Sequence, residues 1–234
     1  MKICILGDSV SKGVLLDPQQ GRYICGRSGF ADRLDRLENI EVENFSVFGC
    51  TVSKGLRLAE RHSAKLEGAD AVLLEFGGND CDFHWTEIAA DPEREHMPNT
   101  PMEEYLEDYA RLIYAVESRG ALPVPMNLPP IHAQSYFNWF SRDMDEREKA
   151  NIVTWLHGDI EYIHRWHKSY NDQLTALTDS LGAKMADIRS DFCAGGNYSD
   201  FLCADGIHPN EAGQELIFSS LKSLGSNKTS HELI

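Results

Sequence analysis

The sequence predicts an α/β fold of three layers, α/β/α, with a five-stranded parallel sheet covered by helices on both faces. Two observations carry this. Short β-rich runs, each ending at small or polar residues, alternate with helical stretches along the chain. The central run Ala71-Val72-Leu73-Leu74 is continuously apolar, as a strand buried on both faces must be.

The elements follow in order. Residues 2–6 form the first strand, and residues 29–38 a helix. Residues 40–46 form the second strand, and residues 53–66 a helix with Ser53 as its N-cap. The third strand is 71–76, followed by a helix over 101–119. The fourth strand is 122–127, followed by two helical segments within 143–181. The fifth strand is 183–187, and a helix over 209–224 closes the pattern. Pro101 and Pro209 sit where a first helical turn tolerates proline, and Gly120, Gly182 and Gly225 sit where helices end.

At 234 residues, 42% of them hydrophobic, the chain can bury a full core. No repeat and no Gly/Pro/Ser-rich linker divides it, so residues 1–224 are expected to form one domain and 225–234 a loose tail. Segments 82–100, acidic and carrying Pro92 and Pro98, and 128–142, rich in aromatics, exceed what the alternation needs. Long insertions after strands are common homes for substrate loops. The net charge of −15 repels phosphate backbones and anionic lipid, so neither nucleic acid nor membrane is an expected partner and a neutral small molecule is. No apolar run approaches about 20 residues, and the first is too short for a signal peptide, which points to a soluble, cytoplasmic protein. The six cysteines are scattered without a C-x-x-C pair and read as reduced thiols.

The chemistry lies at the strand ends. Ser9 follows the first strand, Gly49 the second, Asn79 the third, and Asp205 and His208 the fifth. Ligands of an open parallel sheet gather outside the carboxyl ends of its strands. A nucleophilic serine needs an imidazole to take its proton, and the imidazole needs a carboxylate to hold its tautomer. Asp205 and His208 stand three residues apart, within reach of each other over one turn of backbone. Each block alone also reads as an ordinary turn or helix entry. Four in one order, on one sheet edge, do not.

The chain resembles the GDSL or SGNH hydrolase family in all four of that family's blocks. Gly7-Asp8-Ser9-Val10 stands close to Gly-Asp-Ser-Leu, Gly49 is the glycine of the second block, Gly77-Gly78-Asn79-Asp80 matches Gly-x-Asn-Asp, and Asp205-Gly206-Ile207-His208 matches Asp-x-x-His. The resemblance implies a flavodoxin-like strand order and a serine esterase that needs no metal or cofactor. It implies catalysis by Ser9, His208 and Asp205, and an oxyanion hole made by the N–H groups of Ser9 and Gly49 and the Asn79 amide. Asp80 reads as structural support for its loop. Small esters, acetylated sugars or short acyl groups, are the expected substrates. Acyl transfer to another alcohol is a rival reading, and a non-catalytic binding module another.

Asp8 is a candidate substrate contact. So is His132, whose other reading is a satisfied loop histidine. Glu161, His164 and His167 stand at i, i+3 and i+6, about 120° apart from first to last on a helix, which suits a polar helix face better than a metal. The aromatic run from Tyr136 to Phe140 packs into the core, lines the pocket or meets a second subunit; the oligomeric state, a homodimer included, stays open.

Overall fold

The computed structural model describes residues 1–226. Its central sheet has four parallel strands, β1 (Lys2–Gly7), β4 (Glu41–Asn44), β5 (Ala71–Glu75) and β6 (Leu122–Pro125), in the order β4-β1-β5-β6. The chain leaves β1 for one edge and returns to its other side, so the order reverses between β1 and β5, where Gly7 pairs with Glu75. That is the crevice in which an α/β sheet holds its ligands.

Alternation along the strands builds the two faces. Cys4, Leu6, Val72 and Leu74 pack on one side under α2 (Val52–Arg61), α5 (Met102–Glu117) and α8 (Tyr162–Leu181). Ile3, Ile5 and Leu73 pack on the other under α1 (Phe30–Asp35), α9 (Ile188–Ala194) and α10 (Glu211–Ser226). A third apolar cluster stands apart from the sheet. It joins α4 (Trp85–Ala90), α6 (Ala133–Phe140), α7 (Glu146–Trp155) and the first turn of α8. Segments 82–100 and 128–142 thus carry helices of their own, and the aromatic run packs here: Tyr136 and Phe137 are buried and Phe140 stacks on Trp85 at 4.4 Å.

The expected fifth strand is reduced to one parallel bridge, Met126 with Ala186. The cause is in β6. The N–H groups of Leu122 and Met126 donate to Asp70 and Leu74, so the odd-numbered residues point their nitrogens outward, and two of these are Pro123 and Pro125. Proline has no N–H to give, and the edge can donate only through Asn127, to Ala186 O at 3.2 Å. A hairpin that the alternation did not announce, β2 (Val14–Asp17) paired with β3 (Arg22–Cys25), follows β1.

Helix starts also differ from expectation. The second helix begins at Val52, not after Ser53, and Thr51 makes no side-chain cap bond. Asp80 caps it from another loop, its carboxylate accepting from Val52 N–H at 3.0 and 3.2 Å and from Thr100 Oγ1 at 2.8 Å. Pro101 sits at the N-cap of α5 and Pro209 precedes α10, which Asn210 caps by accepting from Ala212 and Gly213 N–H. Gly225 lies inside α10, and the rest of the expected tail, residues 227–234, lies outside the described residues. All six cysteines are free, with Cys4, Cys50 and Cys81 buried. No helix among the described residues is long and apolar enough to cross a membrane.

Burial pushes the Asp80 carboxyl up to about 7. Because the folded value lies above the unfolded one, the stability this group contributes is complete at low pH and is lost as pH rises through about 7. Asp80→Asn keeps an acceptor for Val52 and removes the titration. Denaturant unfolding from pH 4 to pH 8 is expected to show the variant gaining on the wild type by up to about 4 kcal/mol as pH rises. Parallel curves would contradict the buried cap.

Candidate active site

Ser9 lies in the turn that follows β1 and is 7% exposed. Its Oγ is 2.9 Å from His208 Nε2, and His208 Nδ1 is 2.7 Å from Asp205 Oδ2. An ionised carboxylate only accepts, so Nδ1 carries the proton and Nε2 is left bare to accept the Ser9 O–H. Asp205 is fully buried. Its other oxygen accepts from the N–H groups of Ile207 at 3.0 Å and His208 at 3.1 Å. Burial works to raise this carboxyl, but the hydrogen bond and charge of His208, with those two N–H groups, outweigh it and hold it below the usual range. Tyr23, from the β2–β3 hairpin, sets its ring edge against His208 at 4.8 Å, and Phe48 stacks beyond at 6.2 Å.

Beneath Ser9 lies a pair of buried carboxyl groups. Glu75, the last residue of β5, accepts at Oε2 from Asp8 N–H and Ser11 N–H, both at 3.3 Å, and from Ser11 Oγ at 3.0 Å. Asp8 accepts from Val10 N–H at 2.8 Å and from Asn79 Nδ2 at 2.7 Å. Burial raises both carboxyls, and the charge of Asp8 with a hydrogen bond between the two side chains raises Glu75 well beyond the ordinary range. Two buried carboxyls side by side do not both ionise, and Glu75 is the one pushed further up. An anionic acceptor at Asp8 also settles which end of the Asn79 side chain is the amide nitrogen.

Three donors near the end of β1 have no protein partner among the described residues. The Ser9 and Gly49 N–H groups donate to nothing, and Asn79 Nδ2 has a second N–H beyond the one on Asp8. The Gly49 loop is held beside β1 by Val47 N–H donating to Gly7 O at 3.0 Å. Gly49 has φ +67° with open space where a Cβ would sit, so its glycine is required by backbone conformation. Gly206, between Asp205 and His208, has φ +75°, and a Cβ there would stand 2.7 Å from His132 O and from Ser135 Cβ.

Ser9, Asn79 and His208 open on a cavity of about 140 Å³ whose wall continues through Phe83, Ile131 and Trp166. Asp8 also lines the cavity, with one oxygen accepting from Val10 N–H and the other from Asn79 Nδ2. His132 lies outside the cavity wall. Its ring caps α6, with Nδ1 2.8 Å from Ser135 Oγ. His164 Nδ1 donates to Ile131 O at 2.7 Å, whereas His167 lines the cavity, so the two imidazoles do not converge. The residues that motif reading passed over are Glu75 and Tyr23; His167 was expected only on a polar helix face, and it lines the cavity. Only Tyr23 had a local signal, in the Pro18 to Gly21 turn between two β-rich runs.

Sheet order and site together define a protein of the SGNH-hydrolase fold. The profile of the GDSL-like lipase/acylhydrolase family matches residues 5–216, and the chain belongs to that family, and with it to the carboxylic ester hydrolases. A psychrotrophic esterase from Pseudoalteromonas superposes with TM-score 0.60 at 20% identity, covering 98% of this chain and 99% of its own. A lipase/acylhydrolase from Enterococcus faecalis gives 0.63 at 18%, covering 97% and 96%. A mutant acetyl-xylooligosaccharide esterase from Geobacillus gives 0.63 at 17%, covering 95% and 92%. No curated protein sequence matches the chain.

The two glycines should respond differently to alanine. Gly49→Ala meets only the left-handed backbone, about 1–2 kcal/mol, while Gly206→Ala adds a collision with backbone. Chemical denaturation is expected to show a clearly larger loss for Gly206→Ala; equal losses would contradict the tight seat of the 205–208 turn.

Proposed function

We propose that the chain is a serine esterase that cleaves small carboxylic esters through an acyl-Ser9 intermediate. The observation that carries this reading is the hydrogen-bonded line from Ser9 Oγ to His208 to Asp205, 2.9 and 2.7 Å, opening on the cavity. As Ser9 Oγ attacks the ester carbonyl, its proton passes to His208 Nε2, and Asp205 stabilises the imidazolium. His208 then gives the proton to the departing alcohol. A water molecule, deprotonated by the same nitrogen, attacks the acyl-serine, releases the acid and restores Ser9. The oxyanion of each tetrahedral intermediate takes hydrogen bonds from Ser9 N–H, Gly49 N–H and Asn79 Nδ2. Asp8 is a positioning residue that aims the Asn79 amide.

Cavity size supports a small substrate. About 140 Å³ is close to the roughly 150 Å³ that an engineered cavity needs to hold benzene, room for a short acyl chain or one ring. The Geobacillus enzyme of like fold acts on acetyl-xylooligosaccharides, which supports acetylated carbohydrate among the candidates.

Nitrophenyl esters from acetate to octanoate, run on wild type and Ser9→Ala with a fluorophosphonate label, test the reading. Short esters should be preferred, and label should sit on Ser9 of the wild type alone. Asn79→Ala should stay folded and lose about 10²–10³-fold in kcat. No labelling, with equal background rates in wild type and Ser9→Ala, would overturn the proposal.

A further inference from the structure

His167 is the buried side chain that the chemistry at Ser9 does not use. It sits on α8, where Tyr162, Ile163, Trp166 and His167 form the face that lines the cavity. It is 4% exposed, and its Nδ1 reaches no hydrogen-bond partner; Nε2 has none either among the described residues. Buried polar groups are almost always satisfied, so an unpaired imbalance of this kind calls for an occupant.

Its neighbours on the wall make the contrast plain. Trp166 Nε1 donates to Cys81 O at 2.8 Å, Tyr136 Oη donates to Asp82 Oδ2 at 2.7 Å, and Trp85 Nε1 donates to Asp82 Oδ1 at 2.9 Å. Each of these polar groups is committed within the protein. His167 lines the space that Ser9 also faces with neither ring nitrogen paired among the described residues: Nδ1 is shut away from the open space, and Nε2 is the nitrogen left for a ligand.

We propose that His167 is a specificity residue that hydrogen-bonds a hydroxyl group carried by the part of the ester lying in the cavity. The inference rests on the reading that this cavity holds the substrate of Ser9. A hydroxyl matches a neutral imidazole, since each offers one proton and accepts another. Burial, with the charges of Arg189 and His164, holds His167 well below the ordinary histidine range, so it stays uncharged. An uncharged imidazole offers no ion pair to an ammonium or a carboxylate, so the ligand group it suits is an uncharged hydroxyl.

Two matched ester pairs test this, one per half of the substrate. The acyl pair is nitrophenyl butanoate and nitrophenyl 3-hydroxybutanoate; the alcohol pair is propyl butanoate and its 3-hydroxypropyl counterpart. In at least one pair the wild type should favour the hydroxylated member by roughly tenfold or more in kcat/KM, chiefly through KM. His167→Phe should bring that ratio close to one, and His167→Gln, which keeps a donor and an acceptor, should retain part of it. Fluorophosphonate labelling of Ser9 in each variant reports an intact site. The proposal is overturned if the wild type shows no preference in either pair. It is equally overturned if the preference survives in His167→Phe, or if both members slow equally with the ratio unchanged, as a merely structural role would give. Absence of turnover and labelling in the wild type would instead strike the esterase reading. Binding of the same pairs to Ser9→Ala, with and without His167→Phe, read by the fluorescence of Trp85 and Trp166, then decides the role of His167 independently.

Discussion

The shared proton between Glu75 and Asp8 is the constraint on which the site depends. Both side chains are almost wholly buried where β1 and β5 meet and the strand order reverses. Two ionised carboxylates could not occupy that place together. One proton, held on Glu75, turns a repulsion into a link. Glu75 Oε2 ties the turn that carries Ser9 to the end of β5 by accepting from Asp8 N–H, Ser11 N–H and Ser11 Oγ, while Asp8 accepts from Asn79. Ser9 and Asn79 come from different loops, and this pair ties both loops to the sheet.

A second consequence concerns the cavity. The two insertions that follow β5 and β6 bury a cluster of their own, distinct from the two faces of the sheet. Their aromatic residues are both core and wall: Tyr136 and Trp85 pack together and also line the space beside Ser9. The sheet edge therefore places Ser9 and Asn79, and the insertions build the wall beside them. His167, on α8, completes that wall from outside the insertions.

Much of this was legible in the sequence, for reasons that differ residue by residue. Ser9, Gly49 and Asn79 could be placed because a strand end is marked by an apolar run giving way to small and polar residues, whereas Asp205 and His208 are linked by their three-residue spacing. The fifth strand was over-read because its own run is strand-like; what prevents pairing is Pro123 and Pro125 in the neighbouring strand, a partner's missing donors. Ser53 reads as a helix cap on local grounds, while the cap that acts is Asp80, 28 residues from the Val52 it holds. Glu75 has no signal in the sequence, and His167 only the spacing of a polar helix face. A carboxylate closing a buried strand and a histidine within a helix are ordinary in sequence, and each becomes informative only when its surroundings are known.

The most direct measurement of the central claim is infrared spectroscopy of protein carrying ¹³C-labelled glutamate carboxyl groups, across the range in which ordinary carboxyls are ionised. One glutamate should keep the C=O stretch of a protonated acid at pH 7, and that band should vanish in Glu75→Gln. A wild-type spectrum in which every glutamate carboxyl is ionised at pH 7 would contradict the shared proton and, with it, the account of how the Ser9 turn is held.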